Sequence, residues 1–251
     1  MNLAIIGYGK MGHAIEQCAL RRGHNIALTI DTPDEWQSKA SQLKSCDVSV
    51  EFSTPATAVE NILRCLQAGV PVVSGTTGWN DQLASVKAEC ASLGGALFVA
   101  SNFSIGMNIV FELNRRLARL TSPLPDYSVS ITETHHIHKL DAPSGTAIHL
   151  ANDIIAEHKA SAWHLSTPND SSIHNFTTSQ LHNSQNSIPV TAIRQGEVAG
   201  IHEIRYDSPL DTITLTHEAK GREGLALGAT LAAEFLVGKH GFFTMSDLLK
   251  A

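Results

Sequence analysis

Leu3-Ala4-Ile5-Ile6-Gly7-Tyr8-Gly9-Lys10-Met11-Gly12 opens the chain with a short apolar run that stops at glycines spaced Gly-x-Gly-x-x-Gly. Beyond them Ala14, Ile15, Cys18 and Ala19 recur at helical spacing as far as Gly23, and Ile26 to Ile30 is a second apolar run closed by Asp31. Strand, glycine turn, helix, strand and acid within about 30 residues is the layout of a dinucleotide-binding βαβ unit. Each glycine has a task there: a tight turn, close backbone approach to a pyrophosphate, and close helix–strand packing. The helix N-terminus adds N–H groups and partial positive charge for the phosphates. Asp31 stands where a carboxylate accepts hydrogen bonds from an adenosine ribose. It would repel a 2′-phosphate, and Thr32 supplies no compensating cation. NADH is therefore the expected cofactor, with NADPH use left open by Lys10.

Working outward, the alternation continues. Residues 48–53, 70–74 and 96–100 read as strands, and 58–68 and 83–93 as helices, which describes a parallel sheet covered on both faces. Ligands of open α/β sheets gather outside the carboxyl ends of the strands. That places Gly75-Thr76-Thr77 and Ala100-Ser101-Asn102-Phe103 where a nicotinamide would lie. Phe103 to Ile105 reads as a hinge, followed by a helix through Leu120. Residues 127–132 alternate apolar and polar and form a strand with one covered face. Residues 190–194, 201–206 and 212–217 read as further strands and 224–236 as a helix. Gathered strands after one helix suggest a mixed α+β domain. Between them, 158–187 is rich in Ser, Thr, Asn and His. Its histidines (His158, His164, His174, His182) have no ligand-like spacing and read as solvated loop.

At 251 residues, 43% of them hydrophobic and with net charge -6, the chain can bury a large core and carries no global basic field for nucleic acid. No run approaches the roughly 20 apolar residues of a membrane span. The N-terminus lacks the pattern of a signal peptide, and the four scattered cysteines read as reduced, packed thiols. A soluble, cytoplasmic protein is expected.

The densest chemistry lies in Glu133-Thr134-His135-His136-Ile137-His138-Lys139-Leu140-Asp141-Ala142-Pro143-Ser144-Gly145-Thr146-Ala147. If the strand runs on to His138, His135 shares a face with Glu133 and roughly with Lys139, while His136 and His138 point the other way. Ser144 reads as an N-cap. The N–H groups of Gly145 and Thr146 are expected to form an anion seat at the following helix start. Cations beside a helix N-terminus suit a substrate with carboxylates. A zinc site from His135, His136 and His138 is disfavoured, because adjacent strand histidines diverge and no thiolate lies near. No metal is expected.

The run Glu133-x-His135-His136-x-x-Lys139-x-Asp141-Ala142-Pro143-Ser144-Gly145-Thr146-Ala147 resembles the signature of the 4-hydroxy-tetrahydrodipicolinate reductase (dihydrodipicolinate reductase) family. Gly7 to Gly12, Gly75 to Gly78, Asn102 to Asn108, Arg194-x-Gly196, Gly200-x-His202 and the His217 to Met245 tail are similar in order and spacing. The resemblance implies an NAD(P)H-dependent reduction giving tetrahydrodipicolinate on the diaminopimelate route to lysine. It implies His135 as acid/base, Lys139 as proton donor, and His136, Gly145 and Thr146 as substrate-binding residues. It also implies a cofactor held by Gly7, Tyr8, Gly9, Lys10, Met11, Gly12, Asp31, Gly75, Thr76, Thr77 and Ala100 to Phe103, and a homotetramer. The fold expected is α/β. A Rossmann-like parallel-sheet domain (1–103, completed by 223–251) joins an α+β substrate and oligomerisation domain with a mixed sheet (104–222). Two other readings compete: a Rossmann dehydrogenase of another carboxylate, such as a semialdehyde dehydrogenase, which needs a catalytic cysteine in the strand-end region; and a non-catalytic dinucleotide-binding regulator.

Overall fold

Asn2–Ile6 forms β1, and the chain turns at Gly7 (φ +89°), whose added Cβ would lie 2.2 Å from the Phe52 carbonyl oxygen. Only glycine fits a left-handed turn pressed so closely against a neighbouring backbone. Helix α1 (Lys10–Arg21) and β2 (Asn25–Ile30) follow. Residues 33–45, which carry no periodic signal in the sequence, form α2 (Pro33–Lys39) and a 3₁₀ turn. Thr32 and Glu35 cap α2 reciprocally and Pro33 stands in its first turn, so local chemistry starts this short helix. Then come β3 (Val48–Glu51), α3 (Pro55–Gln67), β4 (Val72–Ser74), α4 (Leu83–Ser92) and β5 (Ala96–Val99). Ile105, placed in the expected hinge, is the first residue of α5 (Ile105–Thr121). The chain continues through β6 (Ser128–His135), α6 (Gly145–Glu157), β7 (Ala162–Ser166), β8 (Ser187–Arg194), β9 (Ile201–Asp207) and β10 (Thr212–Glu218). It closes with α7 (Glu223–Leu236), β11 (Gly241–Phe243) and α8 (Met245–Leu248).

This computed structural model describes residues 1–158, 160–166 and 187–250. Two compact units result, one from Met1–Ile105 with Arg222–Ala251, the other from Gly106–Gly221. The first holds a six-stranded parallel sheet in the order β11-β5-β4-β3-β1-β2. Leu3, Ile5, Val50, Val73 and Phe98 face one core with α1 and α7; Ala4, Ile6, Val72 and Leu97 face the other with α2, α3 and α4. Helix α7 lies close because its residues are small: a Cβ added to Gly228 would fall 1.7 Å from the Phe103 carbonyl oxygen. The tail, read from sequence as apolar anchors only, adds β11 in parallel to β5.

The second unit carries a five-stranded mixed sheet, β10-β9-β6-β8-β7. Strand β6 runs antiparallel to β9 and parallel to β8, and β7 lies parallel to β8. Val129, Ile131, Val190, Ile204 and Tyr206 pack under Phe111, Ala118, Leu150, Ala151 and Ile154 of α5 and α6. Two expectations are corrected here. The polar stretch 158–187 is not all solvated loop: it contains β7, where His164 Nδ1 meets Ser187 Oγ at 2.8 Å. An edge strand needs few apolar residues of its own, which hides β7 from hydrophobic periodicity. His174 and His182 lie outside the described residues. Strand β6 also stops at His135 rather than running to His138. Lys139 N–H turns back to the His136 carbonyl (3.1 Å) and Ile137 N–H donates to the Gly196 carbonyl (3.1 Å).

Candidate active site

Each sheet brings its polar residues to strand ends. In the second unit β6 places Glu133 and His135 on one buried face, at 0% and 8% exposure. His135 Nδ1 is hydrogen-bonded to Glu133 Oε2. A carboxylate only accepts, so Nδ1 carries the proton and Nε2 is the nitrogen left for proton exchange. The other Glu133 oxygen accepts from Arg194 (3.0 Å) and from the Ser144 N–H (3.2 Å). Burial opposes ionisation of Glu133, but the hydrogen bonds from His135 and Arg194 outweigh it and hold its pKa below the usual carboxylate range.

Arg194 reaches further than sequence reading assigned. Its guanidinium also donates to the backbone carbonyls of Asp141 (2.6 Å) and Lys139 (3.3 Å). One side chain therefore ties Glu133, beneath His135, to the loop that carries Lys139. Lys139 Nζ is 2.8 Å from Asp141 Oδ1. Sequence spacing could not announce Arg194, which lies 61 residues from Glu133 and reaches it only through the parallel β6–β8 pairing. His136 lies beyond the strand end; its Nδ1 is buried and, among the described residues, lacks a hydrogen-bond partner. His138 is exposed and faces Glu197.

Ser144 caps α6, its hydroxyl oxygen accepting from the Ala147 N–H at 3.2 Å. Gly145 begins the helix with open space where a Cβ would stand. The Ser144 hydroxyl meets His202 Nε2 at 3.1 Å, and the His202 ring lies edge-on to His135, centroids 5.1 Å apart. Burial, helped by His135, pulls the His202 pKa down to about 4, so the ring stays neutral, its tautomer setting which of the two groups donates, and resists taking up a second ring proton. The unfolded chain takes up this proton near 6.5 and the folded protein only near 4. The stabilisation is thus fully present above 6.5 and lost as pH falls through 4. His202→Asn should flatten the wild-type decline in Tm between those pH values; an unaltered slope would mean that another group sets it.

Glu133, His135 and His202 each bring one ligand-type atom within 4.8 Å of the others. The Arg194 guanidinium 3.0 Å from Glu133 already neutralises that carboxylate and would repel a cation.

In the first unit, α1 has Gly9 as its N-cap with no side chain capping it. A Cβ on Gly12 would lie 2.4 Å from the Gly7 carbonyl oxygen, while one on Gly9 would meet nothing within 4 Å. The first glycine pair closes the turn, and Gly9 leaves space before an uncapped helix N-terminus. That cradle fits a pyrophosphate. Tyr8 and Lys10 flank it and Met11 packs on the core. Asp31 Oδ1 accepts the Tyr8 N–H at 2.6 Å and stays exposed at the end of β2. Glu35 sits beside it, its carboxylate accepting from the Asp31 N–H at 2.8 Å. A hydrogen bond from Lys39 and the backbone N–H groups of Asp31 and Thr32 hold Glu35 down to about 2.

At the neighbouring strand ends Thr77 and Ser101 are exposed, whereas the Thr76 hydroxyl is buried and donates to Glu51 at 2.9 Å. Asn102 Oδ1 accepts the Ser104 N–H at 2.9 Å, and Ala100 N–H donates to the Ser74 carbonyl. Phe103 is 2% exposed and packs on Phe52 and Phe98, so it has only its backbone to offer a ligand. Phe52, which sequence reading passed over, lies under Gly75, where a Cβ would come within 2.2 Å of its ring.

A Rossmann-like unit with an open glycine cradle, and a mixed-sheet unit with a carboxylate–imidazole pair beside a helix start, define a dinucleotide-dependent oxidoreductase. Residues 1–103 match the family model for the dihydrodipicolinate reductase N-terminus and 106–249 that for its C-terminus. The 4-hydroxy-tetrahydrodipicolinate reductase of Christiangramia forsetii is 42% identical over 250 residues, covering 99% of this chain and 98% of that protein. The Staphylococcus epidermidis protein of the same name is 32% identical over 99% of this chain and 100% of its own. The dipicolinate-bound dihydrodipicolinate reductase of Paenisporosarcina sp. TG-14 superposes with TM-score 0.72 at 23% identity, covering 97% of each chain. The chain belongs to the dihydrodipicolinate reductase family, NAD(P)H-dependent oxidoreductases on the diaminopimelate route to lysine.

Proposed function

We propose that this chain reduces the cyclic dicarboxylate 4-hydroxy-tetrahydrodipicolinate to tetrahydrodipicolinate after loss of water, with His135 and Lys139 handling the protons and NADH as preferred reductant. The observation that carries the reading is the Arg194–Glu133–His135 chain, which presents an oriented imidazole beside the N-terminus of α6 and next to the Lys139 loop. On this reading the second unit binds the substrate. Gly145 and Thr146 seat one carboxylate at the α6 start, where backbone N–H groups and the helix dipole favour an anion. His136, just beyond the end of β6, receives the other. The reduced nicotinamide supplies the hydride when bound. Lys139 delivers the proton that neutralises the charge left on the substrate, and His135 exchanges protons through Nε2 while Glu133 holds its other face.

The first unit is the dinucleotide-binding one in this proposal, with the phosphates at Gly7 to Gly12, the ribose at Asp31, and the nicotinamide near Gly75 to Thr77 and Ala100 to Phe103. Gly12→Val should abolish NADH binding, since even its first methyl-sized carbon would overlap the Gly7 carbonyl oxygen; saturable NADH fluorescence in that variant would remove the phosphate assignment. Asp31 and Glu35 together surround the ribose position with negative charge, and the cation near them, Lys39, is already paired with Glu35 at 2.5 Å. A 2′-phosphate meets repulsion there, so kcat/KM for NADH should exceed that for NADPH by about tenfold or more, the equivalent of roughly 1.4 kcal/mol. Equal values at physiological salt would overturn the preference.

The assembly proposed is a homotetramer through the second sheet, on its face away from α5 and α6, which sedimentation would test. Among the described residues no helix is long and apolar enough to cross a membrane, in keeping with a cytoplasmic enzyme. The four cysteines are free and buried. Burial pushes the Cys65 thiol up to about 12, far from the thiolate a semialdehyde dehydrogenase uses. The test is consumption of NADH with freshly generated substrate, together with substitution of Lys139.

A further inference from the structure

Glu51 ends β3 and is 0% exposed, yet among the described residues it has no basic partner. Its neutral donors come from two different strand ends. Oε1 accepts from the Ser53 N–H (3.0 Å), the Ser53 hydroxyl and the Thr76 hydroxyl (2.9 Å); Oε2 accepts from the Ser74 hydroxyl at 2.7 Å. The network closes on itself, because Thr76 Oγ1 also accepts the Ser53 N–H at 2.9 Å. It extends into α3, where Asn61 Nδ2 donates to the Ser53 hydroxyl at 3.1 Å. One buried carboxylate thus fastens the loop after β3 to the loop after β4.

An apolar residue would fill this place in a sheet more cheaply, since a buried acid is tolerated only when its lone pairs are satisfied. What a satisfied polar network adds is a single geometry. Burial pushes the Glu51 carboxyl up, and the serine and threonine hydroxyls oppose that rise. Every donor lies at the carboxyl end of the sheet, the edge where open α/β sheets receive ligands. Between them Phe52 projects beneath Gly75, so the carboxylate also fixes the floor on which the Gly75-Thr76-Thr77 loop rests.

We propose that Glu51 is a positioning residue for the dinucleotide: by joining Ser53, Ser74 and Thr76 it sets the loops after β3 and β4 in the form that receives the nicotinamide half. This inference rests on the cofactor reading above. It acts through those loops and leaves the adenosine end, at Gly7 to Gly12 and Asp31, to bind independently.

Glu51→Gln tests it, because the amide keeps the size of the side chain and one acceptor oxygen but puts an NH2 donor in place of the other, so that a hydroxyl donating there must turn round and accept. Dissociation constants for NADH and for 5′-AMP, which probes the adenosine end alone, would be measured on the folded variant alongside Tm. NADH affinity should fall about tenfold to a hundredfold, the size expected when buried hydrogen-bonding groups are left mispaired. AMP affinity should stay within about a factor of two of wild type. A variant that loses both affinities in parallel, or keeps both, overturns the proposal. If Glu51→Gln does not fold, Ser74→Ala removes only the donor to Oε2 and should show the same split at about threefold; no split there overturns it equally. Wild-type protein that binds AMP but not NADH would instead overturn the cofactor reading itself.

Discussion

Lys139→Ala is expected to lower kcat by about 10²–10⁴-fold, the range that a positioned proton donor contributes, with NADH affinity unchanged. The separation follows from where the residue sits. Lys139 belongs to the loop beyond β6, in the unit that holds none of the glycine cradle. Its folded-state partner is Asp141, whose side chain is 58% exposed, so removing the ammonium leaves a carboxylate that water solvates. Exposed pairs of this kind contribute about 1 kcal/mol or less to stability. The loop keeps its shape because Arg194 holds the Lys139 and Asp141 carbonyls. A collapse of kcat without a change in Tm would therefore report lost proton delivery rather than unfolding. An unchanged kcat would end the assignment, as would an equal loss in NADH binding.

Glu133→Gln should be the most destabilising single substitution in the site and should also impair turnover. The carboxylate is fully buried and bridges His135, Arg194 and the Ser144 N–H. Taking one charge from a buried pair costs about 3–5 kcal/mol, because the partner charge stays behind uncompensated. Here that partner is the Arg194 guanidinium, 20% exposed, so the lower end of the range applies. Glutamine can also offer an N–H toward Nδ1, which favours the wrong imidazole tautomer and removes Nε2 from proton exchange. Thermal unfolding and kcat should fall together. Adding Arg194→Met to Glu133→Gln should restore part of the stability, since the stranded cation is gone, but none of the activity. Strict additivity of the two stability losses would show that the residues do not act as a pair.

Much of this arrangement is legible in the chain because its signals are local. Residues 3–31 hold a full strand–turn–helix–strand–acid pattern, and Ser144 announces a helix start from its own neighbourhood. Glu133 and His135 share a face by simple strand alternation. What escapes is whatever depends on pairing between distant segments or on one residue at an element's end. Arg194 is one such case, since β8 must lie beside β6 before its guanidinium reaches Glu133. Glu51 is another: it reads as an ordinary strand residue until the β3–β4 pairing brings Ser74 and Thr76 to it. The end of β6 at His135 is set by bonds to Gln195 and Gly196, which no local pattern encodes. Strand β7 is hidden because an edge position asks little of its side chains.

The most direct measurement is NADH oxidation by the purified protein with freshly made 4-hydroxy-tetrahydrodipicolinate, run with and without pyridine-2,6-dicarboxylate. Turnover that the aromatic dicarboxylate suppresses competitively against substrate, and that Lys139→Ala lowers by about 10²–10⁴-fold, is the expected result. Binding of NADH with no oxidation under the same conditions would contradict it and leave a dinucleotide-binding protein without reductase activity.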